Sequence, residues 1–117
     1  MKRILVAEDN DSNFILMSYI LKKFFQFDRA RNGKEAVEMV DKVPYDIVLM
    51  DIKMPVMDGL EATKLIKASH PDLPVIALTA NAFDNDRQQA MDAGCDDFLS
   101  KPVSAALCLE TIEKHIK

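Results

Sequence analysis

The chain has 117 residues, one domain by its length and enough for a single core of its own. Hydrophobic residues make up 49% and charged residues 29%, as in soluble globular proteins, and 19 acids against 15 bases give a net charge of −4, which argues against non-specific nucleic-acid binding. No segment approaches the roughly 20 apolar residues of a membrane span, and the apolar run after Lys2-Arg3 stops within four residues on an acidic pair, unlike a signal peptide. Ile4-Leu5-Val6-Ala7 reads as a buried strand. Asp11 or Ser12 is expected to cap a helix through about Phe25, with Phe14, Met17, Leu21 and Phe24 at helical spacing. Phe27 to Ala30 reads as a weaker second strand. Asn32-Gly33 is a turn before a helix from Lys34 to Val43, which presents Ala36, Val37 and Val40 on one face and ends at Pro44.

Ile47 to Met50 is a third strand. Asp58-Gly59 opens a helix through about Ser69, with Leu60, Leu65 and Ile66 as core candidates, and His70-Pro71 stops it. Pro74 to Leu78 is a fourth strand. The helix from Phe83 to Ala93 has few large apolar residues and ends on Gly94. Asp97 to Ser100 is a short fifth strand. A last helix runs from Val103 to about Ile116, with Val103, Leu107 and Ile112 inward. No linker or repeat interrupts the pattern, so residues 1–117 read as a single domain.

Five strand–helix units with strands apolar on both faces predict an α/β fold, a doubly wound parallel sheet of the flavodoxin-like (βα)5 type with strand order 2-1-3-4-5. Every strand then points its C-terminal end at one edge, where such sheets bind ligands. Glu8, Asp9 and Asn10 follow the first strand, Asp51 the third, Thr79 and Ala80 the fourth, and Ser100-Lys101-Pro102 the fifth. Each has an ordinary reading when taken alone. Glu8 and Asp9 suit a helix entry, Asp51 a loop, Thr79 a strand end or cap, and Lys101 a solvated surface. Together they place three carboxylates, a hydroxyl and an ammonium at one edge.

Clustered carboxylates disfavour their own ionisation unless a cation joins them. All-oxygen ligands suit Mg2+, which takes one or two carboxylates, keeps waters and shares a phosphate. A dication beside a carboxylate, a lysine and a threonine makes a phosphoryl-transfer site, and a carboxylate can itself be the nucleophile. Asp51, at the end of the central strand, is the best placed nucleophile. Glu8 and Asp9 then hold the metal, and the main-chain carbonyl of Lys53 faces the same pocket.

Four stretches, "VAEDN", "DIVLMDIKMPVMDGLEAT", "PVIALTANA" and "AGCDDFLSKPV", occur in an order and spacing that resemble a receiver domain of two-component response regulators, including the receivers of hybrid histidine kinases. The resemblance runs from Arg3 to about Ile116. It implies that Glu8, Asp9, Asp51 and the Lys53 carbonyl bind Mg2+ and that Asp51 is the phosphoacceptor. It implies that Thr79 is the switch hydroxyl, that Lys101 pairs with the phosphate before a cis Lys101-Pro102 bond, and that Phe98 is the switch aromatic. It further implies a sensor histidine kinase or histidine phosphotransfer protein as donor and a downstream output protein or domain as target, while the two cysteines without metal spacing read as those of a cytoplasmic protein. Such a domain is not an enzyme but assists its own phosphorylation and dephosphorylation. Lys53 and Asn81, each two residues beyond a site residue, flank the entry for water.

A magnesium phosphatase of the haloacid dehalogenase type would carry a second aspartate where Lys53 stands, and would need a cap domain that 117 residues do not hold. A degenerate receiver acting as a phosphorylation-independent interaction module is the alternative that the intact set of Glu8, Asp9, Asp51, Thr79 and Lys101 opposes. "LTANAF" and "DDFLSKP" lean toward hybrid-kinase receivers. Cys95 and Cys108 lack metal spacing and read as reduced, partly buried thiols; His70 and His115 read as surface residues; Met39, Met54, Met57 and Met91 read as packing.

Overall fold

The computed structural model describes residues 1–80 and 85–116, and the side chain of residue 85 falls outside that description. The elements alternate throughout: β1 (Arg3–Ala7), α1 (Asp11–Leu21), β2 (Gln26–Ala30), α2 (Gly33–Lys42), β3 (Ile47–Asp51), α3 (Gly59–Ser69), β4 (Val75–Thr79), α4 (Asn85–Ala93), β5 (Asp97–Ser100) and α5 (Ala105–His115). All strand pairs are parallel, in the order β2-β1-β3-β4-β5. The predicted topology is the observed one. Among the described residues, no helix is long and apolar enough to cross a membrane.

The sheet divides the core in two. One face carries Leu5, Ala7, Val48, Met50, Val75 and Ala77 against α2, α3 and α4. The other carries Ile4, Val6, Ile47, Leu49, Ile76 and Leu78 against α1 and α5. This double burial explains why β3 and β4 are apolar at every step before their last residue.

Several expected details differ. Asn10, not Asp11 or Ser12, caps α1; its Oδ1 accepts the Asn13 N–H at 3.0 Å. The helix stops at Leu21 rather than Phe25, because the chain must turn back to lie beside β1, where the Gln26 N–H meets the Lys2 carbonyl. Phe24 is left 56% exposed by that turn, while Phe25 packs inward. Leu65 and Leu107 are also exposed. Their helices bury narrower faces, Ala62, Thr63 and Ile66 in α3 and Cys108, Thr111 and Ile112 in α5, and each leucine stands roughly a helical step of 100° to one side. Met39, Met54 and Met57 pack against the core as expected, but Met91 is exposed. Cys95 and Cys108 are free and buried, one on each face of the sheet. In α4 the described part buries only Ala90 and Ala93; the predicted start at Phe83 lies outside the described residues.

Candidate functional site

Register builds the site. Ala7 pairs with Met50 across β1 and β3, so the residues that follow them, Glu8 and Asp51, emerge side by side. Asp51 is still in the strand and pairs with Leu78 of β4, which places Thr79 at the same edge. Thr79 pairs with Ser100 of β5, and the Lys101 N–H donates to the Thr79 carbonyl at 2.8 Å. The Lys101–Pro102 bond is cis. Strand ends alone therefore fix the backbone positions of Glu8, Asp51, Thr79 and Lys101.

Close backbone packing holds the loop after β3. Gly59 opens α3 directly on β3's end, and its N–H donates to the Ile52 carbonyl at 2.7 Å. A Cβ there would lie 2.8 Å from the Ile52 Cα and closer still to the Asp51 carbonyl oxygen. Val56, at the loop's tip, has a φ of +69° and is exposed, an unfavourable conformation for a β-branched residue.

The side chains converge. Carboxylate oxygens of Glu8, Asp9 and Asp51 lie within 4.8 Å of one another. Glu8 and Asp51 are buried and Asp9 is exposed. The Lys101 Nζ sits between the buried pair, 3.1 Å from Glu8 Oε1 and 3.0 Å from Asp51 Oδ2. Asp51 Oδ1 accepts the Lys53 N–H at 3.3 Å, and Glu8 Oε2 accepts the Asn10 N–H at 3.3 Å. The Thr79 hydroxyl is buried with no hydrogen-bond partner among the described residues. A cleft of about 220 Å³ opens on the cluster, lined by Glu8, Asp9, Asp51, Lys53, Asp86 and Lys101 among others.

Burial first, and then the neighbouring Asp51, push the Glu8 carboxyl from 4.5 up to about 7, against the opposing pull of Lys101. Burial works against the Lys101 charge, but Asp51 and Glu8 outweigh it and raise the lysine's pKa. With all groups ionised, three carboxylates facing one ammonium leave two negative charges in excess, the charge a dication neutralises. Hard oxygen donors, that charge and an open side toward water fit Mg2+.

The structure thus gathers Glu8, Asp9, Asp51, Lys53 and Lys101 in one cleft, with Thr79 at the adjacent strand end. Phe98 stands apart from it, half-buried on the α2–α4 face with the Arg87 guanidinium 4.7 Å from its ring centroid. Asn81 lies outside the described residues. His70 and His115 are more engaged than expected. Each is partly buried and joined to an aspartate, His70 to Asp41 at 2.8 Å and His115 to Asp97 at 2.9 Å, at the far edge of the sheet. Asp97 is partly buried, which opposes its charge, but His115 and the Phe98 N–H hold its carboxyl below the ordinary range. Two residues near the site were not singled out from sequence. Asp86, in the first turn of α4, lines the cleft, and its place just beyond the end of β4 was the available signal. Arg29 was marked only by being a charge inside a predicted strand.

The model of the response regulator receiver domain matches residues 4–113. Hybrid signal transduction histidine kinase B of Dictyostelium discoideum is 39% identical over 131 residues, which cover 99% of this chain and 7% of that protein. The chain spans between 3% and 17% of the length of the first curated relatives it matches. Among solved structures, the receiver domain of sensor histidine kinase PA1611 from Pseudomonas aeruginosa, with a magnesium ion in its active-site cleft, is 34% identical. It superposes with a TM-score of 0.92 over 97% of this chain and 96% of that one. The receiver domain of Ssk1 from Saccharomyces cerevisiae, solved with the histidine phosphotransfer protein Ypd1, is 28% identical with a TM-score of 0.91, over 97% and 88% of the two chains.

Proposed function

We propose that Asp51 of this chain, which belongs to the response regulator receiver domain family of two-component and phosphorelay signalling, is its phosphoacceptor. The donor is the phosphohistidine of a sensor histidine kinase or a histidine phosphotransfer protein. The observation that carries this reading is the Lys101 ammonium held between two buried carboxylates at adjacent strand ends. A buried ion cluster of this kind is costly as a stabilising device, so a chemical role is the better account of it. The likeness to a receiver solved with a phosphotransfer protein supports the donor class.

Glu8, Asp9, Asp51 and the main-chain carbonyl of Lys53 would hold Mg2+. When bound, the ion supplies positive charge to the phosphoryl oxygens and to the attacking carboxylate. The remaining work falls to the chain's own groups. An Asp51 carboxylate oxygen attacks phosphorus in line, a P–O bond forms, and the P–N bond to the donor imidazole breaks. Burial on β3 fixes that carboxylate's direction before the donor arrives. Lys101 moves its ammonium from the carboxylates to a phosphoryl oxygen, a charge-assisted bond. The Thr79 hydroxyl, buried and without a hydrogen-bond partner among the described residues, turns to donate to another phosphoryl oxygen.

With that turn Phe98 moves inward from its half-buried place, changing the face of α4, β5 and α5 that a downstream output protein or domain reads; the loop after β4 lies outside the described residues. The domain is a signalling module of the cytoplasm that assists its own phosphorylation and dephosphorylation. Residues 1–117 act as one receiver unit.

Intact-mass spectrometry after incubation with acetyl phosphate tests the reading, with and without Mg2+ and beside Asp51→Asn. A single Mg2+-dependent phosphoryl adduct, absent from the variant, is expected. An adduct that persists in Asp51→Asn would assign the wrong nucleophile, and no adduct on folded, Mg2+-binding protein would favour phosphorylation-independent interaction.

A further inference from the structure

Glu8 and Asp9 sit on the short connection between β1 and α1, and Asp9 is exposed. A connection carrying two adjacent carboxylates needs support if its charges are to stay near a third. The edge strand β2 supplies it. The Glu8 N–H donates to the Ala30 carbonyl at 3.0 Å, and the Glu8 carbonyl accepts from Arg29 Nε at 3.0 Å. Both backbone polar groups of Glu8 are therefore engaged by neighbouring residues of β2.

The same guanidinium reaches past the connection. Arg29 Nη1 lies 2.9 Å from Asp11 Oδ1, in the first residue of α1. One side chain thus joins the residue that ends the strand side to the residue that begins the helix, with Asp9 and Asn10 between. Its fork is held in place from below. The guanidinium lies 4.7 Å from the Phe14 ring centroid, and Phe14 meets Phe27 edge-on at 6.1 Å. The side chain is only 13% exposed. β2 is itself tied down, since Arg3 Nε and the Tyr45 hydroxyl both donate to Asp28, at 2.9 and 2.8 Å. Arg31 also approaches Asp11, at 3.5 Å, but is largely exposed.

We propose that Arg29 is a positioning residue for the cation site: it clamps the β1–α1 connection at both ends and so sets the affinity for Mg2+ without touching the ion. The inference rests on the reading of Glu8 and Asp9 as metal ligands. The property used is a rigid planar guanidinium that donates from two of its nitrogens to two separate acceptors, which lysine does not share. Partners behind metal ligands commonly govern affinity about 10- to 100-fold.

Electrostatics gives the inference a sharp opponent. Arg29 is a cation near a proposed dication site, so if charge alone mattered, its removal would tighten Mg2+ binding. Positioning predicts the reverse. Arg29→Met keeps an apolar stem over Phe14 and removes the fork; Arg29→Lys keeps the charge; Asp11→Asn weakens one arm at an exposed residue and keeps the question open to test if the Arg29 variants do not fold. On the full chain, the Mg2+ dissociation constant is measured by calorimetry, amide hydrogen exchange at residues 9 and 10 in EDTA by NMR, and stability by urea. Arg29→Met is expected to weaken Mg2+ binding about tenfold and to speed exchange at residues 9 and 10, while Leu5 and Val6 stay protected. Arg29→Lys is expected not to restore affinity, and Asp11→Asn to weaken binding by a smaller factor.

Unchanged or tighter Mg2+ binding in the variants, whatever their stability, overturns the inference and leaves Arg29 as a brace for the edge strand. A wild type that binds no Mg2+ overturns the ligand reading and this inference with it. A wild type that binds Mg2+ but accepts no phosphoryl group overturns only the proposed function.

Discussion

Glu8→Gln is expected to stabilise the metal-free domain at neutral pH and to do so progressively less in acid. Glu8 is 1% exposed, and its carboxyl is pushed up to about 7 from 4.5, by burial first and by Asp51 second. Between those values the native state holds a proton that the unfolded chain has released. Stability therefore falls as pH rises through the window; the penalty is absent below about 4.5 and complete above about 7. Its full size, from the gap between the two values, is about 3 kcal/mol. Glutamine keeps the shape and carries no such slope. Urea unfolding of both proteins in EDTA, at about pH 5 and about pH 7.5, should show the difference in unfolding free energy moving toward the variant by about 2 kcal/mol. Comparing the two proteins cancels carboxylates remote from Glu8, including Asp97, whose lowered pKa contributes stability above its ordinary value that is lost in acid. Added Mg2+ should reverse the order, because the carboxylate is the better ligand. A difference that stays constant between the two pH values, or that moves toward the wild type, would refute the reasoning.

Lys101→Met is expected to slow adduct formation from acetyl phosphate at saturating Mg2+ by about 10²-fold, the usual loss for one transition-state donor; an unchanged rate in the mass-spectrometric assay would remove Lys101 from the reaction. Gly59→Ala puts a methyl group against the backbone of Asp51 and Ile52, so urea unfolding should show a loss of about 3 kcal/mol. A loss under about 0.5 kcal/mol would mean that the junction yields freely. Cys95 and Cys108 are buried on opposite faces, with burial pushing each thiol up to about 11. Neither should react with a thiol reagent until the protein unfolds, and rapid labelling of either in native conditions would contradict the packing described.

Much of the fold was legible because its signals were long and redundant. Ile47 to Met50 is apolar at every position, as suits a strand covered on both faces. Once the strands were placed, the site followed from counting, since register brings the residues after Ala7 and Met50 together. What escaped was information that no local pattern carries. Leu65 and Leu107 are as hydrophobic as their buried neighbours, and only the width of each helix face decides which is covered. Phe24 fits the helical spacing of α1, yet the return of the chain to β1 ends the helix before it. His70 and His115 find their partners 29 and 18 residues away, separations invisible to spacing arguments. Arg29 is only a charge inside a strand until the approach of the β1–α1 connection to β2 is known.

In the proposed switch, the slight seating of α4 sets the scale of force required. Among its described side chains, only the methyl groups of Ala90 and Ala93 are buried against the rest of the protein. Two such groups are worth about 1.6 kcal/mol at roughly 0.8 kcal/mol each. One hydrogen bond to a charged group is worth about 1.5–3 kcal/mol. A single new bond at Thr79 is thus a match for what those two methyl groups contribute, and each 1.4 kcal/mol of imbalance changes the ratio of two helix positions about tenfold. A helix seated on leucines would hold against so small a tug; one seated on alanines works as a light latch.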